Sequence, residues 1–199
     1  MSKKICVYCS SSDAVDNVYF QTAKELAAML ATNNHTLVYG GGNIGLMGEV
    51  AKTMHLFGGR VIGIIPEGIN NMGVGYEAAD EFIITQDLRE RKALMETYSD
   101  AFLALPGGFG TLEEILEMIT LKQLNFHNKP LVFLNVNDFF NPLFDVFEHI
   151  YNQHFAKPEF QMLYHIASNP QSAIKYIEEY QPEIIPGKIF KTCKTQQLN

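Results

Sequence analysis

The sequence predicts an α/β protein: one Rossmann-like domain on a doubly wound parallel sheet over residues 1–182, then a flexible C-terminal tail over 183–199. Three observations carry this. Runs such as Ile5-Cys6-Val7-Tyr8-Cys9 and Val61-Ile62-Gly63-Ile64-Ile65 are apolar almost throughout, as strands buried on both faces are. Longer segments with apolar residues at helical spacing lie between such runs, so strand and helix alternate. Glycine-rich turns follow two of the strands, at the edge where open parallel sheets bind their ligands.

Lys4 to Cys9 reads as the first strand, with Ser10-Ser11-Ser12-Asp13 as the loop beyond it. Cys6-x-x-Cys9 has redox spacing, but residues three apart on a strand point to opposite faces, so the thiols are expected to diverge. Tyr19 to Leu30 places Ala23, Leu26, Ala27 and Leu30 on one helical face. Thr36 to Tyr39 is the second strand, and Gly40-Gly41-Gly42-Asn43-Ile44-Gly45 follows at once. Gly40-x-Gly42-x-x-Gly45 matches the dinucleotide fingerprint, yet only Glu67, behind Pro66, offers the acidic residue such a site needs. A glycine-rich turn packed against a ligand is favoured over a nicotinamide site. Val50 to Phe57 is read as a helix ending at Gly58-Gly59, and Arg60 to Ile65 as the third strand, stopped by Pro66. Glu67 to Asp80 reads as a loop and lid, and Phe82 to Ile84 as a short strand.

Asp87-x-x-Glu90 opens a helix through Tyr98 with a capping pattern. Leu88, Arg91, Met95 and Tyr98 share a face of it, so Arg91 lies in an apolar stripe with Lys92 beside it. Asp100 to Leu105 is the next buried strand. It leads into Pro106-Gly107-Gly108-Phe109-Gly110-Thr111, and a helix is read from Thr111 to Phe126. The glycines let the backbone approach a ligand, and the first N–H groups of the helix are ready for a phosphate. This loop lacks the lysine of a Walker loop, so a bound phosphate needs cations from elsewhere; Arg91 and Lys92 are the nearest. Thr111-x-x-Glu114 admits two readings: a capping box, or a carboxylate at a ligand site. The helix is apolar on more than one side, with Met118 and Leu121 opposite its main stripe, which predicts a homodimer. Lys129 to Leu134 is a strand, Phe139 to Tyr151 a helix, Met162 to Ala167 a short strand and Pro170 to Tyr180 a last helix.

Composition bounds the function. With 199 residues, 47% of them hydrophobic, the chain can bury a sizeable core, and a net charge of −7 opposes nucleic-acid binding. No apolar run nears the roughly 20 residues that span a bilayer, and no signal peptide is legible, so a cytoplasmic protein without membrane association is expected. Three cysteines are no disulfide framework, and the six histidines show no zinc-ligand spacing; no metal and no cofactor are expected.

The Pro106–Glu114 stretch resembles the PGGxGTxEE motif of the Lonely Guy-type cytokinin riboside 5'-monophosphate phosphoribohydrolases, a family once labelled lysine decarboxylases. Gly40-Gly41-Gly42-Asn43-Ile44-Gly45-Leu46-Met47-Gly48 is similar to that family's GGGxxGLMG segment, and Glu90-Arg91-Lys92 to its ERK motif. The three motifs occur in order, and the resemblance reaches to about Tyr180. It implies hydrolysis of the N-glycosidic bond of a purine nucleoside 5'-monophosphate, either AMP or an N6-modified (cytokinin) nucleotide, and a homodimer.

On that resemblance Arg91 and Glu114 are the candidate catalytic residues. Lys92, Gly107, Gly108, Phe109, Gly110, Thr111, Glu113, Gly41, Gly42 and Ser10 are candidates for binding the nucleotide, with Thr120 carried over from the family. Family members commonly have His where Arg89 stands and Gly where Ser10 stands, and Gly73 replaces an acidic residue expected after Met72, so base preference stays open. The rival reading is a non-catalytic nucleotide or molybdenum-cofactor carrier of the same fold, which keeps the glycine turns but has no use for an Arg91–Glu114 pair. A lysine decarboxylase would need pyridoxal phosphate on a lysine of its loop, and none is there.

Overall fold

Seven parallel strands lie in the order β4-β3-β2-β1-β5-β6-β7 in a computed structural model that describes residues 1–185 and 187. In chain order the elements are β1 (Lys4–Tyr8), α1 (Asn17–Thr32), β2 (Thr36–Tyr39), α2 (Gly45–Leu56), β3 (Arg60–Pro66), α3 (Glu67–Asn70) and β4 (Glu81–Thr85). There follow α4 (Leu88–Tyr98), β5 (Ala101–Ala104), α5 (Phe109–Gln123), β6 (Leu131–Leu134), α6 (Asn141–Asn152), β7 (His165–Ala167) and α7 (Pro170–Glu179). The doubly wound parallel sheet read from the sequence is therefore the fold.

The strands are apolar on both faces because both are covered. Ile5 and Val7 face one core, packed by Leu26, Leu30, Val50 and Ile174 from α1, α2 and α7. Cys6 and Tyr8 face the other, packed by Met95, Ile115 and Met118 from α4 and α5. The two thiols thus diverge, Cys6 into one core and Cys9 into the other. Burial pushes the Cys6 thiol up to about 12 and raises Cys9 as well, so neither is a ready nucleophile. Among the described residues no helix is long and apolar enough to cross a membrane.

Strand order reverses between β1 and β5, which places a crevice beyond their carboxyl ends. Four local readings change. Helix α2 starts at Gly45 rather than Val50, because Asp13, from the loop after β1, accepts the Gly45 N–H at 2.9 Å and so supplies a distant cap. Helix α5 starts at Phe109, with Gly108 as its cap residue. Thr111 is therefore inside the first turn, and the capping-box reading of Thr111 and Glu114 is set aside. Residues 158–163 form a 3₁₀ helix, leaving only His165–Ala167 as strand. The expected loop from Glu67 contains the short helix α3 and an antiparallel bridge, Gly75 to Gly42. The Asp87 cap is as read: its Oδ1 accepts the N–H groups of Arg89 at 2.8 Å and Glu90 at 2.9 Å. Of the expected tail, Ile185 is buried with Tyr151, Phe160 and Leu163, and residues 186 and 188–199 lie outside the described residues.

Candidate active site

A cleft of about 590 Å³ opens at the strand-order reversal. Its floor is the end of β1, and its walls are Ser10–Ser12, Gly40 and Gly42, the first turn of α5, and Ile69, Met72 and Val74. Arg91 and Glu114 also line it.

Glu114 is interior to α5, five positions along from the first residue Phe109, and faces the sheet with only 7% of its surface exposed. Arg91 comes from α4, where the stripe Arg91–Met95 packs toward β3. Its Nη1 donates to Glu114 Oε1 at 2.8 Å, and its Nε donates to the carbonyl of Ile64 at 3.1 Å. Nη2 lies over Gly40, where an added Cβ would come within 1.9 Å of it. Only glycine at position 40 leaves room for this guanidinium. Burial raises the Glu114 pKa above its ordinary value; Arg91 opposes that rise, and Glu113 adds to it. The result is a carboxylate with more proton affinity than a surface one, fixed by a permanent cation.

The first turn of α5 faces the same space. Its leading N–H groups have no partner within the helix, and they carry the positive end of the helix dipole. Phe109 is 94% exposed at the lip. Nothing lies within 4 Å of where a Cβ of Gly108 or Gly110 would stand, so an anion can reach the backbone there. Gly107 is needed for packing, since a Cβ there would lie 2.1 Å from Thr111 Oγ1.

Of the residues expected from sequence, the cleft gathers Arg91, Glu114, Ser10, Gly42, Gly108, Phe109, Gly110 and Thr111. Ser10 Oγ accepts the N–H of Ser12 at 3.0 Å, which folds the 10–12 loop. Lys92 is turned away: its Nζ contacts Glu113 and lies 2.9 Å from Glu117 Oε2. Lys92 and Glu113 therefore tie α4 to α5 outside the cleft lining. Gly41 is architectural, with φ +74° and its Cβ position 2.9 Å from Ile65 Cβ. Thr120 is exposed further along α5, its hydroxyl donating to Leu116 O at 2.9 Å. Gly40, Met47 and Leu88 line the cleft and were not singled out. The glycine run contained the signal for Gly40, but the partner that makes it necessary comes from α4.

Fold and site together define a Rossmann-like protein with an open helix N-terminus set beside a buried arginine–glutamate pair. The family described as "Possible lysine decarboxylase" matches residues 47–177. A cytokinin riboside 5'-monophosphate phosphoribohydrolase of Arabidopsis thaliana is 42% identical over 190 residues, covering 96% of this chain and 83% of that protein. A second from the same plant is 40% identical, covering 98% and 92%. A probable one from Oryza sativa subsp. japonica is 40% identical, covering 91% and 74%. The chain belongs to the cytokinin riboside 5'-monophosphate phosphoribohydrolase family. In fold it is similar to the molybdenum-cofactor carrier protein of Chlamydomonas reinhardtii, at TM-score 0.68 and 22% identity over 90% of this chain and 97% of that one. The molybdenum cofactor binding protein of Rippkaea orientalis gives TM-score 0.68 and 23% identity, over 89% and 96%. At that identity the likeness speaks for the fold alone.

The decarboxylase description does not fit the cleft. Pyridoxal phosphate chemistry needs a lysine amine to hold the cofactor, and among the described residues lining the cleft none is lysine.

Proposed function

We propose that this protein hydrolyses the N-glycosidic bond of adenine-type nucleoside 5'-monophosphates, cytokinin riboside 5'-monophosphates or AMP, to free base and ribose 5-phosphate. The observation that carries the reading is the Arg91–Glu114 pair, buried at 2.8 Å and facing the same cleft as the α5 N-terminus. A carrier needs the anion site but not a desolvated carboxylate beside it.

The 5'-phosphate binds the leading N–H groups of α5, and the Arg91 guanidinium supplies the cation. As the bond from C1' to the base nitrogen breaks, positive charge develops on the sugar. Glu114 stabilises that charge and takes a proton from the attacking water. Water oxygen ends on C1', and the proton ends on the departing base. Arg91 holds the carboxylate in one orientation and favours its ionised form, so it serves binding and positioning together. The apolar wall of Ile69, Met72 and Val74 takes the base.

The working unit in this reading is a cytoplasmic homodimer. Helix α6 supports it: it is amphipathic, yet among its residues only Tyr151 is fully buried and Val146 is 52% exposed. The test of function is release of free base and ribose 5-phosphate from AMP and from isopentenyladenosine monophosphate, assayed side by side. Both products in equal amounts are expected; binding without release from either nucleotide would favour a carrier.

A further inference from the structure

Residues 67–80 close one side of the cleft with Ile69, Met72 and Val74, yet their only regular element is the four-residue helix α3. So short a helix cannot hold itself, and the shape of this wall is set by contacts to other elements. One set is backbone. The Asn43 N–H donates to Val74 O at 2.7 Å, the Tyr76 N–H donates to Gly41 O at 2.8 Å, and Gly42 bridges Gly75. The other set is a clasp of side chains beyond the cleft. His55, in the last turn of α2, has Nε2 at 3.1 Å from Asp80 Oδ2 and Nδ1 at 2.9 Å from the Tyr76 hydroxyl.

The donors and acceptors of the clasp agree with one another. An ionised carboxylate only accepts, so Nε2 carries a hydrogen toward Asp80, while Nδ1 pairs with the Tyr76 hydroxyl. Asp80 is itself fixed, its Oδ2 accepting the Val61 N–H at 2.7 Å. Burial works against the Asp80 charge, but the Val61 N–H and His55 outweigh it and hold its carboxyl below the ordinary range. Because α2 begins at the glycine-rich turn and ends beside His55, one helix links the backbone ladder to the clasp.

We infer that His55 is a positioning residue for the base end of the cleft, acting through Tyr76 and Asp80 on the wall formed by Ile69, Met72 and Val74. The inference rests on the nucleotide reading given above. It separates two ends of one ligand. The 67–80 segment brings only apolar side chains to the cleft, so it contributes to holding the base, while the phosphate is held by α5 on the other side. Loosening the clasp weakens the grip on the base and leaves the grip on ribose phosphate.

The test uses calorimetric titration with AMP and, separately, with ribose 5-phosphate, in a Glu114→Gln background where turnover does not consume the ligand. Tyr76→Phe removes one hydroxyl and keeps the ring packed; His55→Phe keeps a ring and removes both bonds. Loss of one or two hydrogen bonds predicts a Kd for AMP raised about 3- to 10-fold in each, with the Kd for ribose 5-phosphate within about twofold. Equal weakening of both ligands, or no change for AMP in a folded Tyr76→Phe protein, overturns the inference. Equal affinity of the parent for the two ligands would instead show that the base makes no contact. That failure belongs to the nucleotide reading and is seen before any clasp substitution is made.

Discussion

The Arg91 guanidinium joins the carbonyl of Ile64, near the end of β3, to the carboxylate of Glu114 in α5, with contacts of 3.1 and 2.8 Å. One side chain from a third element thus fixes a buried acid at the mouth of the sheet. Arg91→Lys keeps the charge but loses the planar fork that makes both contacts at once. We expect kcat/KM for AMP to fall by on the order of 100-fold while the circular dichroism spectrum is retained. Near wild-type turnover in this variant would mean that the fork has no part in the reaction.

The same pair sets a pH dependence. A carboxylate that acts in its ionised form is lost as pH falls through its pKa, and burial raises that of Glu114. The acid limb of kcat/KM is therefore expected above the range of an ordinary carboxylate. Arg91 lowers the Glu114 pKa, so Arg91→Gln moves the limb further up, and its plateau drops. A full pH–rate profile of both proteins checks this; a limb that stays in place speaks against Glu114 as the titrating group.

Gly40→Ala tests the space Arg91 occupies. The new Cβ would stand 1.9 Å from Nη2 and 2.5 Å from Met47 Cε, so the guanidinium has to move. Misplacing it by about 1 Å predicts a loss on the order of 10- to 100-fold in turnover, with the protein still folded. Activity equal to the parent would show that Arg91 has freedom to spare.

Much of this was legible before any coordinates. Apolar strands and glycine turns point to the parallel sheet because local composition records burial and turn geometry directly, whereas Arg91 and Glu114 are singled out by the family resemblance of the three motifs. What was not legible depended on partners distant in sequence. Lys92 follows Arg91 in the chain, yet on a helix neighbours point about 100° apart, so one enters the cleft and the other meets Glu113 and Glu117. The sequence reads the helix from Thr111 because the glycines suggest a turn, whereas α5 begins at Phe109 and takes Gly110 into its first turn. Gly40 was indistinguishable from Gly41 in the run, although one makes room for Arg91 and the other turns the chain.

In the proposed site the phosphate is the handle by which the substrate is held. Adenosine lacks the group that would meet the α5 N-terminus and Arg91, so its binding and its alignment over Glu114 are both expected to suffer. Its kcat/KM should be at least about 100-fold below that of AMP, measured as adenine released. Comparable turnover of the two would remove the phosphate site from the account.

Association is read from apolar surface. Besides Val146 on α6, Leu124 and Phe126 after α5 are 41% and 72% exposed. In the proposed homodimer a second copy would cover such apolar surface. Sedimentation at micromolar concentration is expected to give twice the 22.4 kDa chain mass. A single species at the chain mass would rule the dimer out.

The central claim is that Glu114 does chemistry, and Glu114→Gln addresses it most directly. The amide keeps an oxygen that can accept from Arg91 Nη1 and keeps the shape, so the fold and AMP binding are expected to survive. It loses the charge that stabilises the developing cation and the basicity that activates water. Adenine release from AMP by the purified variant, measured at saturating substrate beside the parent, should fall on the order of 100-fold or more. A folded Glu114→Gln protein that binds AMP and releases adenine at the parent's rate would contradict the account.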